Sequence, residues 1–336
     1  MTLALPLIWA VLIAVAVFAY VVLDGFDLGV GILFPAVRGH EERNVMVNSV
    51  APVWDGNETW LVLGGGGLLA VFPLAYAILL PALYAPLTAM LLALIFRGVA
   101  FEMRFRARND REQLRWDRSF TGGSYVAAFS QGVALGAFVQ GVKVTGRGYG
   151  GGWWDWLTPF SLLTGVALVI GYALLGSCWL IWKTEGDLQD RFRHLAGRLA
   201  WATLALIGIV SLAMLVLSAP FRERWLILPN GLVAAVVPVL LLGLAWLFFS
   251  ALRKRREVTP FLCALGFFLL AYVGLGVSMW PMMVPPSVTI QDAAAPPATQ
   301  AFLLWGALVL IPIILVYTGY VYWLFRGKVK AGVGYH

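Results

Sequence analysis

The chain has 336 residues, of which 61% are hydrophobic and 12% charged, with a formal net charge of +7. Soluble domains carry roughly 45–50% and about 25%, so this composition excludes a water-soluble globular protein and defines a single integral membrane domain over residues 1–336. The positive charge does not mark a nucleic-acid binder, because the arginines flank apolar segments instead of forming a stripe on a polar domain.

The first apolar run, from Leu3 to Leu23, has no basic region before it and is about the length of one crossing, which suits a retained span better than a signal peptide. It leads into Asp24-Gly25-Phe26-Asp27-Leu28-Gly29, two carboxylates three positions apart among glycines. Apolar segments then recur near 56–74, 77–103, 119–142, 158–182, 198–219, 229–252, 259–283 and 300–325. With the first, near 3–34, they predict an all-α polytopic bundle of nine spans. No charged residue occurs between Leu61 and Phe96, a stretch too long for one crossing, and Pro73 and Pro81 mark a hairpin within it. Read as a single crossing, the same stretch gives the alternative of eight spans. Gly25 with Gly29, and Gly132 with Gly136, have the small-xxx-small spacing of close helix contacts. Trp153, Trp154, Trp156 and Trp225 fall where interfacial indoles anchor a bundle.

Basic residues set the orientation. With nine spans, 20 of the 24 lysines and arginines fall on one side, and only Lys143, Arg147, Arg222 and Arg224 on the other. The crowded side is expected to be cytoplasmic, with the C-terminus inside and the N-terminus outside. Eight spans would put the N-terminus inside and divide the basic residues 18 to 6.

Cys178 and Cys263 lie in apolar segments, which indicates neither a disulfide nor a zinc site. His40, His194 and His336 all lie outside the spans, so this chain alone is expected to bind no haem or metal. The carboxylates carry the chemistry. Trp54-Asp55-Gly56-Asn57-Glu58-Thr59-Trp60 repeats the acid pair at the mouth of the second span, and Arg97 and Glu102 approach the same boundary at the end of the third. An acid at or inside a membrane edge pairs with a cation or takes up a proton. Two readings follow for Asp24, Asp27, Asp55, Glu58 and Arg97: an ion-paired cap, or a hydrated proton entry whose acids titrate together.

DGFDLGVGILF, NSVAPVWDGNETWLV, FRGVAFEMR, FVQGV, SCWLIWKTEG, WPMMVPPS and IPIILVYTGYVYW, in this order, resemble subunit II of the cytochrome bd family of quinol oxidases over nearly the whole chain. The resemblance extends to the family's cyanide-insensitive branch. It implies a multi-pass protein of the bacterial inner membrane, with subunit I as partner carrying the b-type and d-type haems and the quinol site. A small single-span accessory subunit is a further partner it allows. The implied reaction takes electrons from quinol to dioxygen, using cytoplasmic protons, and this chain is expected to have no activity alone. The resemblance further implies that Asp27 and Asp55 contribute to a proton path, that Trp60 borders an oxygen path, and, at Gln140, a polar position in the FVQGV element. Two other functions fit parts of the pattern. A proton-coupled secondary transporter would place acids beside glycine-rich helices, but calls for related halves; a purely structural anchor subunit would need no carboxylate motifs.

The span count has a direct check. A cysteine introduced at residue 2 is expected to react with an impermeant maleimide from the outside; protection in whole cells, with labelling after permeabilisation, would favour eight spans.

Overall fold

The computed structural model describes residues 4–226, 235–329 and 332. The start of the predicted segment 229–252, Lys330 and His336 lie outside the described residues. The chain folds into helices α1 (Ala4–Leu33), α2 (His40–Val50), α3 (Trp54–Val71), α4 (Pro73–Ala82), α5 (Tyr84–Phe105), α6 (Asp110–Gln140), α7 (Pro159–Lys183), α8 (Gly186–Leu217), α9 (Ala219–Leu226), α10 (Val236–Arg253), α11 (Thr259–Met279), α12 (Ile290–Ala293) and α13 (Pro297–Leu324). Two short antiparallel hairpins, Val144–Thr145 with Gly148–Tyr149 and Met282–Val284 with Val288–Thr289, complete it.

Local chemistry sets the boundaries. Pro73 and Pro159 occupy the first turns of α4 and α7, where a missing N–H costs nothing. The Thr158 hydroxyl accepts from the Ser161 backbone N–H while the Ser161 hydroxyl accepts from that of Thr158, a reciprocal cap on α7. Asn109 caps α6 through the Glu112 N–H at 2.9 Å.

Among the described residues nine helices of 18 residues or more run through the bundle, one for each predicted segment. Seven of them, α1, α5, α7, α8, α10, α11 and α13, are long and apolar enough to cross a membrane by length and composition. The others are α3, which opens on polar residues, and α6, whose first turns carry the charges of Asp110 to Arg118. The predicted segment 77–103 divides at Leu83 into α4 and α5, and Pro73 starts α4 instead of forming its turn.

Contacts between loops sort the helix ends. Arg43 pairs with Asp117, Arg191 with Glu42, Arg255 with Asp190 and Lys328 with Glu257, which gathers the basic loops at one end of the bundle. At the opposite end the Ala295 N–H donates to the Val71 carbonyl, the Trp9 indole to the Gln300 carbonyl and the Val142 N–H to the Pro285 carbonyl. The end of α3 and the start of α1 therefore lie away from the basic loops. Tyr84 meets Trp153 at that same end, with ring centroids 5.9 Å apart, so the uncharged stretch passes through the bundle twice.

The main core surrounds the second half of α1 and α7, with Phe26 stacked on Trp179 at 4.2 Å. Close approach there requires glycine. A Cβ on Gly29 would collide with the Tyr172 carbonyl oxygen, and one on Gly176 with the Gly29 backbone. By contrast α13 buries only Gln300 and is fastened mainly at its ends. At the basic end the Lys183 ammonium donates to the Phe325 carbonyl at 2.6 Å and lies 4.8 Å from the Trp179 ring centroid. The Lys328 ammonium donates to Glu257 at 2.7 Å and, with the Gln189 amide, holds that carboxyl below its usual range.

Gly29→Val is expected to lower the thermal midpoint sharply or to abolish assembly, since overpacking costs about 1–3 kcal/mol even where flexible side chains give way. Gly65→Ala, at a site where an added Cβ meets nothing, is expected to leave the midpoint unchanged or slightly raised. Differential scanning fluorimetry of the detergent-solubilised complex distinguishes the two.

Candidate functional site: a buried acid cluster

Toward the basic end, α1, α3 and α5 bring their polar residues together inside the bundle. The three-residue spacing of Asp24 and Asp27 puts them on one side of α1, and both are 0% exposed. Arg97, from α5, is 1% exposed. Its Nη1 donates to Asp24 Oδ1 at 3.1 Å and to Glu58 Oε1, from α3, at 2.8 Å. One guanidinium nitrogen thus ties three helices.

Asp27 is held differently. Its Oδ2 accepts from Asn57 Nδ2 at 2.7 Å, and the same nitrogen donates to the Leu23 carbonyl at 3.4 Å. Asn57 Oδ1 in turn accepts from the Tyr322 hydroxyl of α13 at 2.9 Å. Asp27 Oδ1, Asp24 Oδ2, Arg97 Nε and Nη2 and the Tyr20 hydroxyl are buried and make no hydrogen bond among the described residues. Three carboxyls have one guanidinium among them, and only Asp24 and Glu58 bond to it. Full ionisation would leave the negative charges two in excess, and for the fully buried Asp24 and Asp27 an uncompensated charge costs several kcal/mol, so the cluster offers places for protons.

The sequence-predicted residues separate on this geometry. Asp24, Asp27, Glu58 and Arg97 come together; Asp55 and Glu102 are exposed and take no part in these hydrogen bonds. Trp60 is 4% exposed and packs with Ala16 and Tyr20 of α1 beside Ile314 of α13, its indole N–H buried without an acceptor among the described residues. Gln140 lies at the opposite end, where its amide oxygen accepts from the Thr158 hydroxyl beside a cavity of about 390 Å³.

Sequence reasoning missed Asn57 and Tyr322, which are far apart in the chain and have no charge to mark them. It also missed a second buried ion group. Arg104 Nε donates to Asp117 Oδ1 at 2.6 Å, Arg43 Nη1 to Asp117 Oδ2 at 3.0 Å and Arg104 Nη1 to Asn44 Oδ1 at 2.7 Å, with both guanidiniums over the Phe34 ring. A signal existed: Arg97 and Arg104 are seven apart, on the same side of α5.

Among the described residues the side chains able to ligate a haem iron do not converge on one site. His40 and His194 are exposed, and Met46, Met90 and Cys178 are packed into the apolar core. No group of three or more candidate metal-ligating side chains occurs among the described residues.

A polytopic helical membrane protein with a buried, cation-deficient acid cluster is the class that fold and site define. Comparison with known proteins makes the assignment specific: residues 5–325 match the family described as cytochrome bd terminal oxidase subunit II, and the chain belongs to that family. It is 31% identical to cytochrome bd-I ubiquinol oxidase subunit 2 of Escherichia coli (strain K12), over 97% of this chain and 95% of that one. Identity to cytochrome bd ubiquinol oxidase subunit 2 of Bacillus subtilis (strain 168) is 28%, over 96% of each. The fold matches a chain in the structure of bd oxidase from Geobacillus thermodenitrificans with a TM-score of 0.77 at 18% identity, covering 96% of this chain and 98% of that one.

Arg97→Gln leaves Asp24 buried, and Glu58 partly buried, without their cation, where breaking a fully buried pair costs about 3–5 kcal/mol. The thermal midpoint of the complex is expected to fall, and Asp24→Asn added to Arg97→Gln is expected to recover part of the loss. Equal midpoints for wild type and Arg97→Gln would contradict the pairing.

Proposed function

We propose that this chain is the haem-free half of a quinol oxidase, and that its acid cluster loads protons from the cytoplasm toward the oxygen-reducing site of subunit I. The basic end of the bundle is cytoplasmic in this reading, with the C-terminus inside and the N-terminus outside. Quinol gives up two electrons and two protons at subunit I, and dioxygen takes four electrons and four protons to become two waters. The b-type and d-type haems of subunit I supply the electron transfer and the oxygen binding. Charge is separated across the membrane because the quinol protons leave outside while those consumed enter from inside.

The observation that carries the reading is the imbalance of the cluster. Arg97 has two carboxylate partners, whereas Asp27 is hydrogen-bonded to a neutral amide. An anchor subunit would be served by the Arg97 pairs alone; a further, fully buried acid without a cation partner at hydrogen-bond distance adds nothing to an anchor, but it suits a proton carrier. Asp55 is exposed on the first turn of α3, and in this reading it collects protons ahead of the buried group. Trp60, in an apolar contact between α1, α3 and α13, borders the path assigned to oxygen.

Positioned proton-transfer groups contribute about 10² to 10⁴ in rate. Asp27→Asn is expected to preserve the visible haem absorption of the purified complex while its quinol-driven oxygen consumption falls at least about tenfold; Asp55→Asn is expected to act in the same direction. Trp60→Ala is expected to change the apparent KM for oxygen more than the maximal rate. Full turnover in Asp27→Asn and Asp55→Asn, singly and together, would make the acids structural.

A further inference from the structure

The hydrogen bonds of the acid cluster end on a residue that the reading above leaves without a role. Tyr322 lies on the last helix, 265 positions after Asn57, and its hydroxyl is 2.9 Å from Asn57 Oδ1. Asn57 is 1% exposed, and the two ends of its amide are nearly equal in size. Which end faces Asp27 is therefore decided by hydrogen bonding and not by shape. In the observed orientation the nitrogen faces two acceptors, Asp27 Oδ2 and the Leu23 carbonyl, and the oxygen faces a hydroxyl. Turned by 180°, the amide would set its oxygen against that carboxylate and carbonyl, an arrangement that is stable only when Asp27 carries a proton and donates it.

A tyrosine hydroxyl can serve both orientations, because it donates as well as accepts. With Asp27 ionised, Tyr322 donates to the amide oxygen. With Asp27 protonated, its O–H can donate to the turned amide oxygen while Tyr322 accepts from the amide nitrogen. Phenylalanine or leucine at this position would serve neither state. We propose that Tyr322 is a positioning residue of the proton site, holding the Asn57 amide in the orientation that matches the charge on Asp27. This rests on the assignment of Asp27 to the proton path. The placement of Tyr322 is itself secured: its ring packs edge-on against Phe26 and Trp179, with centroids 6.5 and 6.3 Å away, and three residues later the Phe325 carbonyl is held by Lys183.

The test uses the assembled two-subunit complex with Tyr322→Phe, which keeps the ring contacts, Asp27→Asn, and the two combined. Tyr322→Phe is expected to lower kcat about two- to tenfold, the worth of one hydrogen bond, with unchanged KM for quinol and unchanged haem absorption. If the residue acts through Asp27, the double variant turns over at the rate of Asp27→Asn alone. Infrared difference spectra add a readout that packing does not move: the carboxyl band that vanishes in Asp27→Asn is expected to shift in Tyr322→Phe. Wild-type kcat in Tyr322→Phe beside a slow Asp27→Asn, or effects that multiply in the double variant, would overturn the inference and leave the proton path standing. Full turnover in Asp27→Asn would instead remove the proton path, and an unshifted carboxyl band would then overturn the role of Tyr322 as well. Should Tyr322→Phe fail to assemble, Asn57→Leu breaks the same link, and wild-type kcat in that variant overturns the proposal.

Discussion

The basic half of the bundle depends on one guanidinium, itself 1% exposed, holding carboxylates from two other helices. Charges in such surroundings interact far more strongly than at a surface, and their desolvation is correspondingly expensive. The Arg97 pairs therefore select an arrangement more than they stabilise it. Removing Arg97 leaves two carboxylates without their cation, and removing both acids strands a buried guanidinium, so α1, α3 and α5 are held together at Asp24, Glu58 and Arg97. The glycines of α1 and α7 allow the helix carrying the two aspartates to pack closely: Gly29 against Gly176 brings the two backbones into direct contact.

A second ion group extends the same logic. Asp117 lies between Arg104 and Arg43, with Phe34 beneath both guanidiniums, and joins α2, α5 and α6. Here two cations serve one carboxylate, the reverse of the acid cluster, where three carboxyls have one cation among them. Both groups depend on α5, on residues seven positions apart. One is charge-sufficient and suits a fixed brace; the other is acid-rich and suits proton exchange. The last helix contributes almost no buried area, yet its ends are tied by Trp9 to the Gln300 carbonyl and by Lys183 to the Phe325 carbonyl, which sets the height of Tyr322 against Asn57.

Much of this was legible in the sequence because charge is rare in a membrane chain and shows wherever it occurs. Asp24, Asp27, Glu58 and Arg97 stand out against uncharged flanks, and the distribution of arginines anticipated which loops share an end. Helix boundaries were less legible: α6 and α8 begin about two to three turns before their apolar runs, and their charged first turns pair with α2, Asp117 with Arg43 and Arg191 with Glu42. The division of 77–103 at Leu83 left no charge to reveal it. Asn57 was overlooked because a neutral amide between Asp55 and Glu58 reads as part of a polar turn; its importance comes from a tyrosine that only the folded chain brings near. Asp55 and Glu58 share a spacing, but the packing of α5 against α3 claims Glu58 alone.

In the function proposed above, protons reach the partner subunit's chemistry through the acids of this chain. The most direct test is side-resolved proton uptake during an oxygen pulse, with the reduced complex reconstituted into vesicles that expose the basic end and carry a pH dye in the outer medium. With Asp27 replaced by Asn, the first electron transfer to the oxygen-bound complex is expected to proceed at the wild-type rate while uptake from the basic side lags or disappears. Uptake from that side with unchanged rate and stoichiometry in the replaced protein would contradict it.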